Sequence, residues 1–144
     1  MAEQNFRNHV RWVPAFHFFV LPVLLLNFIY SVYHAIRAPV SFQSVFGIFL
    51  AAALLVGAAY ARAFAITVQD RVIHLEMHLR MERILPADLK ARIEEFTVGQ
   101  LIALRFASDA ELPELARRVW NDKGTERKAI KQMVKNWKPD YLRA

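Results

Sequence analysis

The residues of this chain whose types and spacing could support chemistry lie near its middle, in the stretch HLEMH at positions 74–78. Two histidines four residues apart share one face of a helix and can bind the same zinc ion. Zinc proteases place a glutamate directly after the first histidine, but Glu76 comes two positions later, about 200° around a helix from His74. The spacing therefore argues against a protease. His74 and His78 stay candidate metal ligands that need a third ligand from elsewhere, and the alternative is a solvated polar helix face.

Two other histidines, His17 and His34, lie in an apolar segment and could each serve as an axial ligand to haem or chlorophyll. They are 17 residues apart, which is about 25 Å along a helix axis. The next apolar segment contains no histidine, so bis-histidine haem within one chain is excluded. Two interpretations stay open: a single axial histidine in a larger complex, or histidines whose polar atoms are satisfied near the ends of the segment.

The rest of the chain carries no pattern that is typical of an enzyme. Its four glycines are too scattered for a phosphate-binding loop, and no G-x-S-x-G sequence is present. The absence of cysteine excludes disulfides, thiolate metal sites and cysteine nucleophiles. We therefore expect no catalytic residues. We also expect no cofactor, except in the alternative in which the protein binds haem or chlorophyll.

His17 and His34 belong to the first of two long apolar segments, residues 13–36 and 42–61, neither of which contains a charged residue. About 20 apolar residues suffice to cross the hydrocarbon core of a bilayer as a helix. The first segment is too long for a signal peptide, so we expect it to be retained. The short link between the segments predicts an antiparallel transmembrane hairpin over residues 12–61.

Small residues recur at four-residue spacing along the second segment and predict a helix-packing face. Such residues let helix backbones approach closely in lipid, either within the hairpin or against another subunit. These positions are Gly47 and Ala51, followed by Ala53, Gly57 and Ala61.

The second segment is predicted to continue as an amphipathic helical extension over residues 62–85, because neither glycine nor proline interrupts it there. One apolar stripe consists of Phe64, Val68, Val72, Leu75 and Leu79, and Ile73, Met77 and Met81 widen it. We expect the C-terminal part of the chain to cover this stripe.

Residues 86–144 are predicted to form a small cytoplasmic lobe of short helices, because helix-start signals recur along them. The stretches TVGQ (97–100) and SDAE (108–111) both match the capping box, in which a side chain at each end bonds the backbone of the other. Together with the segments above, this composition predicts an all-α protein.

The last helix, starting at Thr125, is predicted to be amphipathic and basic. Such helices can lie on anionic headgroups, which makes the membrane surface a candidate partner, and a solvated outer face is the alternative. No recognised nucleic-acid motif accompanies the charge, so nucleic acid is not an expected partner. The predicted basic face consists of Lys128, Lys131, Lys135 and Lys138, opposite Ile130, Met133, Val134 and Trp137.

The charge distribution predicts the orientation in the membrane. The N-terminal arm, residues 1–11, contains Arg7 and Arg11, the link between the apolar segments contains Arg37 alone, and residues 62–144 contain 16 lysines and arginines against 12 acidic residues. Because basic residues favour the cytoplasmic side, we expect both termini in the cytoplasm.

Three stretches, NFRNHVRWVPAFHFFVLPVLLLN, QLIALRFASDAELPELARR and IKQMVKNWKPDYLR, resemble a family of small bacterial membrane proteins of unknown function. The resemblance covers nearly the whole chain and implies an inner-membrane protein with two spans and a helical C-terminal part. It implies no catalytic residues.

We therefore predict a non-enzymatic, multi-pass protein of the bacterial inner membrane that serves as an accessory or scaffolding subunit. Its expected partners are the lipid bilayer and other membrane protein subunits or further copies of itself. The alternatives are a pigment- or haem-binding subunit of a photosynthetic or respiratory complex and a sensor of anionic membrane surfaces.

Overall fold

The computed structural model describes residues 5–6, 12–122 and 124–140, so most of the predicted N-terminal arm lies outside the described residues. Within them the protein is all-helical, as predicted, and no strand is present. A π-helical turn at Ala15–Val20 is followed by α1 (Leu21–Arg37), α2 (Phe42–Ile84), α3 (Ala87–Lys90), a 3₁₀ turn at Ile93–Glu95, α4 (Val98–Leu104), α5 (Leu112–Asn121) and α6 (Arg127–Met133). The chain divides into two compact units, Arg11–Ile66 and Met1–Val10 with Thr67–Ala144.

The first unit contains the two apolar segments as helices. Ala15–Arg37 and Phe42–Ile84 are each long and apolar enough to span a membrane, by length and composition. The π-helical turn ends two residues before Pro22, and the Leu21 N–H donates to the Phe16 carbonyl five residues back. Because proline cannot donate a backbone hydrogen bond, a widened turn next to it accommodates the interruption.

Helix α2 is unbroken over 43 residues, so the second apolar segment continues into the extension that the sequence predicts. Its first residue follows Ser41, whose Oγ accepts a hydrogen bond from the Ser44 N–H at 3.2 Å and caps the helix.

In the second unit, α4 lies at the centre of the core. A helix that is apolar on all sides is a core helix, and five of the seven residues of α4 are buried. The predicted capping box at Thr97 is confirmed: its Oγ1 accepts from the Gln100 N–H, and Gln100 Oε1 accepts from the Thr97 N–H. Buried side chains of the other elements surround α4, among them Ile73, Met77, Met81, Leu89, Leu112, Leu115, Val119 and Ile130.

The last helix is shorter than the sequence predicts. Helix α6 ends at Met133, and residues 134–140 are not helical. The carboxylate of Glu111 accepts hydrogen bonds from the backbone N–H groups of Lys135 and Asn136, each at 2.9 Å. A continuing helix would bond these donors internally, so the distant carboxylate competes with the helix and ends it.

The same competition alters the second predicted capping box. Ser108 Oγ accepts a hydrogen bond from the Glu111 N–H at 3.3 Å. The Glu111 carboxylate is directed to residues 135 and 136 instead of to Ser108, whose N–H donates to the Asn136 carbonyl. Only one half of that box therefore forms.

The predicted basic face of the last helix is wrong. Lys128 and Lys131 lie on α6, but Lys135 and Lys138 lie beyond its end, where the Lys138 N–H donates to the Phe106 carbonyl at 2.7 Å. Lys131 is 8% exposed, and its Nζ lies 5.4 Å from the centre of the Phe106 ring. A face of four exposed lysines on one helix does not form in the described part of the chain.

Candidate docking surface on helix α2

The apolar stripe that the sequence assigns to the lobe is exposed, so that prediction is wrong. We call its four residues in the second unit the outer stripe: Val68, Val72, Leu75 and Leu79 are 62%, 50%, 60% and 59% exposed. The lobe instead covers an inner face of α2 that consists of Ile73, Met77 and Met81, which are 4%, 2% and 0% exposed.

The inner face and the outer stripe lie on opposite sides of the helix. Val68 and Met77 are nine residues apart, as are Val72 and Met81, and nine residues correspond to about 180° around a helix. In the sequence the two sets resemble one wide stripe, because both repeat at three- and four-residue steps. Their half-turn separation shows that α2 has two apolar faces.

The way the chain leaves α2 determines which face the lobe covers. Leu85 follows Met81 by four residues, and its N–H donates to the Met81 carbonyl at 2.8 Å. Leu85 is itself buried, and it therefore extends the inner face past the end of the helix. Pro86 then starts the lobe at once, so α3 begins on the side of the inner face.

Arg80 fastens α2 to the turn that follows α4. Its Nε donates to Asp109 Oδ1 at 2.8 Å, and its Nη1 and Nη2 donate to the carbonyls of Arg105 and Ala107 at 3.1 and 2.6 Å. The Arg80 side chain is 11% exposed. Its hydrogen bond and charge, with a smaller contribution from the charge of Lys138, lower the pKa of Asp109. This clamp fixes the inner face under the lobe and leaves the outer stripe uncovered.

A basic cleft of about 460 Å³ lies beside Arg80. Its charges largely neutralise one another: Arg105 pairs with Asp140 at 3.2 Å, and Lys138 lies 4.0 Å from the Asp109 carboxylate that Arg80 holds. The pairing indicates a structural role for these cations in joining α2 to the C-terminal segment.

Two charged residues flank the outer stripe, Arg71 on one side and Glu76 on the other. Both are exposed. Neither has an ion-pair partner among the residues that the structure describes. The sequence pattern assigns no role to Arg71, and it places Glu76 on a solvated polar face that points away from His74 and His78. Their positions about 70° to either side of the stripe's midline could have been read from the sequence once the stripe was known to be exposed.

The candidate metal ligands His74 and His78 are neighbours, with ring centres 6.3 Å apart. His78 lies between two carboxylates, with Nε2 3.4 Å from Glu82 and Nδ1 3.6 Å from Glu94. Across residues 5–6, 12–122 and 124–140, no three His, Asp or Glu side chains are arranged to hold a metal ion. The structure thus adds no third ligand to the pair.

The candidate tetrapyrrole ligands are not brought together. His17 lies in the π-helical turn, where its Nδ1 is 2.9 Å from the Val13 carbonyl oxygen and its ring contacts those of Trp12 and Phe16 edge-on. His34 lies in the last turn of α1 and borders a polar cleft of about 370 Å³.

The predicted helix-packing positions divide into buried and open ones. Ala51 is 1% exposed, whereas Ala53, Gly57 and Ala61 are exposed. A Cβ added at Gly47 or at Gly57 would meet no atom within 4 Å. The glycines are therefore not needed for close packing within this chain, and a role in packing against a partner stays a prediction.

Comparison with known proteins gives one match. No curated protein and no solved structure matches the chain. The model of DUF6526, described as a family of unknown function, matches residues 1–144.

Proposed function

Because the chain belongs to DUF6526, a family of unknown function, we propose a function from its own surface: a non-enzymatic membrane protein that acts as an accessory or scaffolding subunit. In this proposal residues 12–61 form an antiparallel transmembrane hairpin in a bacterial inner membrane, with both termini in the cytoplasm. The outer stripe is the surface on which a protein partner docks.

The exposure of the two apolar helices supports the membrane location. In Ala15–Arg37, no residue of the most apolar 18-residue window is buried inside the protein. In Phe42–Ile84, 6% of the corresponding window is buried. A core helix of a water-soluble protein would be mostly buried. Phe18, Phe19 and Phe49 are 68%, 67% and 70% exposed, and contiguous apolar surface of this kind needs lipid or protein to cover it.

The single observation that carries the docking role is the exposure of the outer stripe. Its residues follow Arg62, the first charged residue after the apolar segment, and the positions between them are polar except for Ile73 and Met77 of the inner face. Large exposed apolar patches with a polar rim mark interaction sites. The lobe is already packed on the opposite face and does not cover them.

The test is purification of the tagged full-length protein from its native membranes in mild detergent, followed by identification of the proteins retained with it. We expect Leu75→Lys to abolish retention of the partner, because a lysine in the middle of the stripe would be desolvated on docking. Ala91→Lys is the control, since Ala91 is exposed and lies in the turn after α3, outside the stripe. Retention that is equal for Leu75→Lys and wild type would reject the docking role.

A second candidate function is the binding of a single haem or chlorophyll through Nε2 of His17. The Nδ1 atom of His17 lies 3.1 Å from the Val13 N–H, which can donate to it, and 2.9 Å from the Val13 carbonyl, to which it can donate; the tautomer that donates to the carbonyl leaves Nε2 as the acceptor atom that a metal requires. The visible absorption spectrum of the purified protein tests it. A pigment band that His17→Ala removes and His34→Ala keeps would support this candidate, and a flat spectrum would eliminate it.

A further inference from the structure

We infer that the partner of the outer stripe is a second copy of this chain, paired in parallel so that two α2 helices pack stripe to stripe about a two-fold axis. The inference rests on the proposed docking role and names its occupant. Three observations carry it: the repeat in the sequence of α2, the charges that flank the stripe, and the direction that a shared membrane imposes.

The first observation is an eleven-residue repeat. Apolar or small residues recur along α2 at steps of four, three and four residues, and this set of steps occurs three times without a break. Eleven residues in three turns correspond to about 3.67 residues per turn, close to the 3.6 of a straight helix. Two such helices stay in contact over their whole length with little supercoiling. The positions are Phe46, Leu50, Ala53, Gly57, Ala61, Phe64, Val68, Val72, Leu75 and Leu79.

The informative part of this repeat is its C-terminal third. Residues 42–61 are uncharged throughout, so apolar residues at the repeat positions are expected there for lipid contact alone. From residue 62 onwards charged and polar residues are frequent, yet every position of the repeat is still apolar. This selectivity indicates a surface that a protein helix covers.

The second observation is charge complementarity between identical helices. Arg71 and Glu76 lie about 70° on opposite sides of the midline of the outer stripe. In a parallel two-fold pair, the Arg71 flank of one helix faces the Glu76 flank of its partner. A residue on the first flank is then paired with the partner residue five positions later in the sequence. Arg71 of each copy would therefore face Glu76 of the other, which gives two opposite-charge pairs for each dimer.

Two to three turns further on, the flanking charges are again complementary. Glu82 and Arg83 lie about 50° on opposite sides of the same midline, and both are exposed. In the parallel pair Glu82 of one copy lies beside Arg83 of the other at nearly the same height. Opposite charges of the two copies therefore face each other at both heights along the helix pair.

The third observation fixes the direction. The apolar segment and the outer stripe belong to the same continuous helix. Copies that insert into one membrane with the same orientation have α2 helices that run the same way. An antiparallel pair of α2 helices would require oppositely inserted copies.

Cysteine cross-linking of the full-length protein in membranes tests the parallel pairing, because the chain has no cysteine of its own. Val68 and Leu79 lie within about 10° of the stripe's midline. In a parallel dimer each meets its own counterpart, so Val68→Cys and Leu79→Cys should each form a disulfide-linked dimer. Lys90→Cys, an exposed position outside the stripe, should not.

Charge reversal distinguishes this dimer from other partners. We expect Arg71→Glu and Glu76→Arg each to weaken dimerisation about tenfold or more, because each change places like charges in both pairs. The double variant Arg71→Glu/Glu76→Arg should restore the dimer, as measured by mass in detergent and in nanodiscs. Wild-type levels of dimer in both single variants would contradict the pairing.

Different experimental results would overturn the dimer and the docking role. A protein that is monomeric in detergent and nanodiscs, and that forms no cross-link at position 68 or 79, overturns the dimer. If Leu75→Lys still abolishes retention of a different protein in that case, the stripe is a docking surface for another partner. If Leu75→Lys changes neither self-association nor retention, both ideas are rejected.

Discussion

The two apolar faces of α2 have similar composition and spacing but different environments. The inner face is buried by the lobe, and the outer stripe of two valines and two leucines is at least half exposed. Hydrophobic periodicity shows that a helix face can be buried, but it does not name the element that buries it. In this chain the covered face is selected by the link through Leu85 and Pro86, a few residues outside the pattern.

The largest effect that separates the two faces should come from truncating one residue on each. Met81→Ala removes a fully buried side chain and should lower the free energy of unfolding of the second unit by about 2–5 kcal/mol, because a cavity remains. Leu79→Ala removes a side chain that is 59% exposed and should change it by less than about 0.5 kcal/mol.

Urea unfolding in detergent, at protein concentrations where the chain is monomeric, gives both values. Monomeric conditions are required because Leu79→Ala is also expected to weaken the proposed dimer. Equal losses for the two variants would mean that the lobe contacts both faces, and the distinction between the inner face and the outer stripe would be lost.

The features of the fold that the sequence predicts correctly depend on local spacing. The capping box at Thr97 involves residues three apart, and the continuity of α2 depends on a stretch without glycine or proline. Each of these patterns acts through neighbouring residues and is visible in a short window. The all-α class follows from the same signals.

The features that sequence analysis misses depend on contacts between distant residues. Arg80 bonds Asp109, 29 positions away, and Glu111 bonds the N–H groups of Lys135 and Asn136, 24 and 25 positions away. A charged residue on a polar helix face gives no local sign of such a partner. The exposed stripe, and with it the candidate docking surface, could therefore be located only after the lobe had been placed.

A smaller effect should separate the cations on the two sides of α2. Arg80→Met leaves two carbonyls and a carboxylate without their donor, and hydrogen bonds to a charged group contribute about 1.5–3 kcal/mol, so stability should fall by about that amount. Arg71→Met, on the flank of the outer stripe, is the matched control. It should leave monomer stability unchanged within about 0.5 kcal/mol. Thermal unfolding of both variants measures the difference, and a loss at Arg71 as large as that at Arg80 would contradict the assignment of the clamp to the inner side.

The smallest effect should appear as a dependence of lobe stability on pH. Arg80 lowers the pKa of Asp109 in the folded protein below its ordinary value of 3.8, so the ionised carboxylate favours folding. This contribution is fully present above the unfolded pKa and is lost as the pH falls through the folded one. Because the Asp109 side chain is 54% exposed, solvent screening limits the contribution to less than about 1 kcal/mol.

Asp109→Asn should therefore lower stability at pH 7 and should match wild type more closely as the pH falls below about 4. The outer stripe is uncharged, so Leu75→Ala should keep the wild-type pH profile in monomeric protein. Unfolding curves collected between pH 3 and 7 separate the two cases. An Asp109→Asn profile parallel to that of wild type would show that Arg80 holds the lobe through the carbonyls of Arg105 and Ala107 alone, and the inner face would then depend on hydrogen bonds that do not titrate.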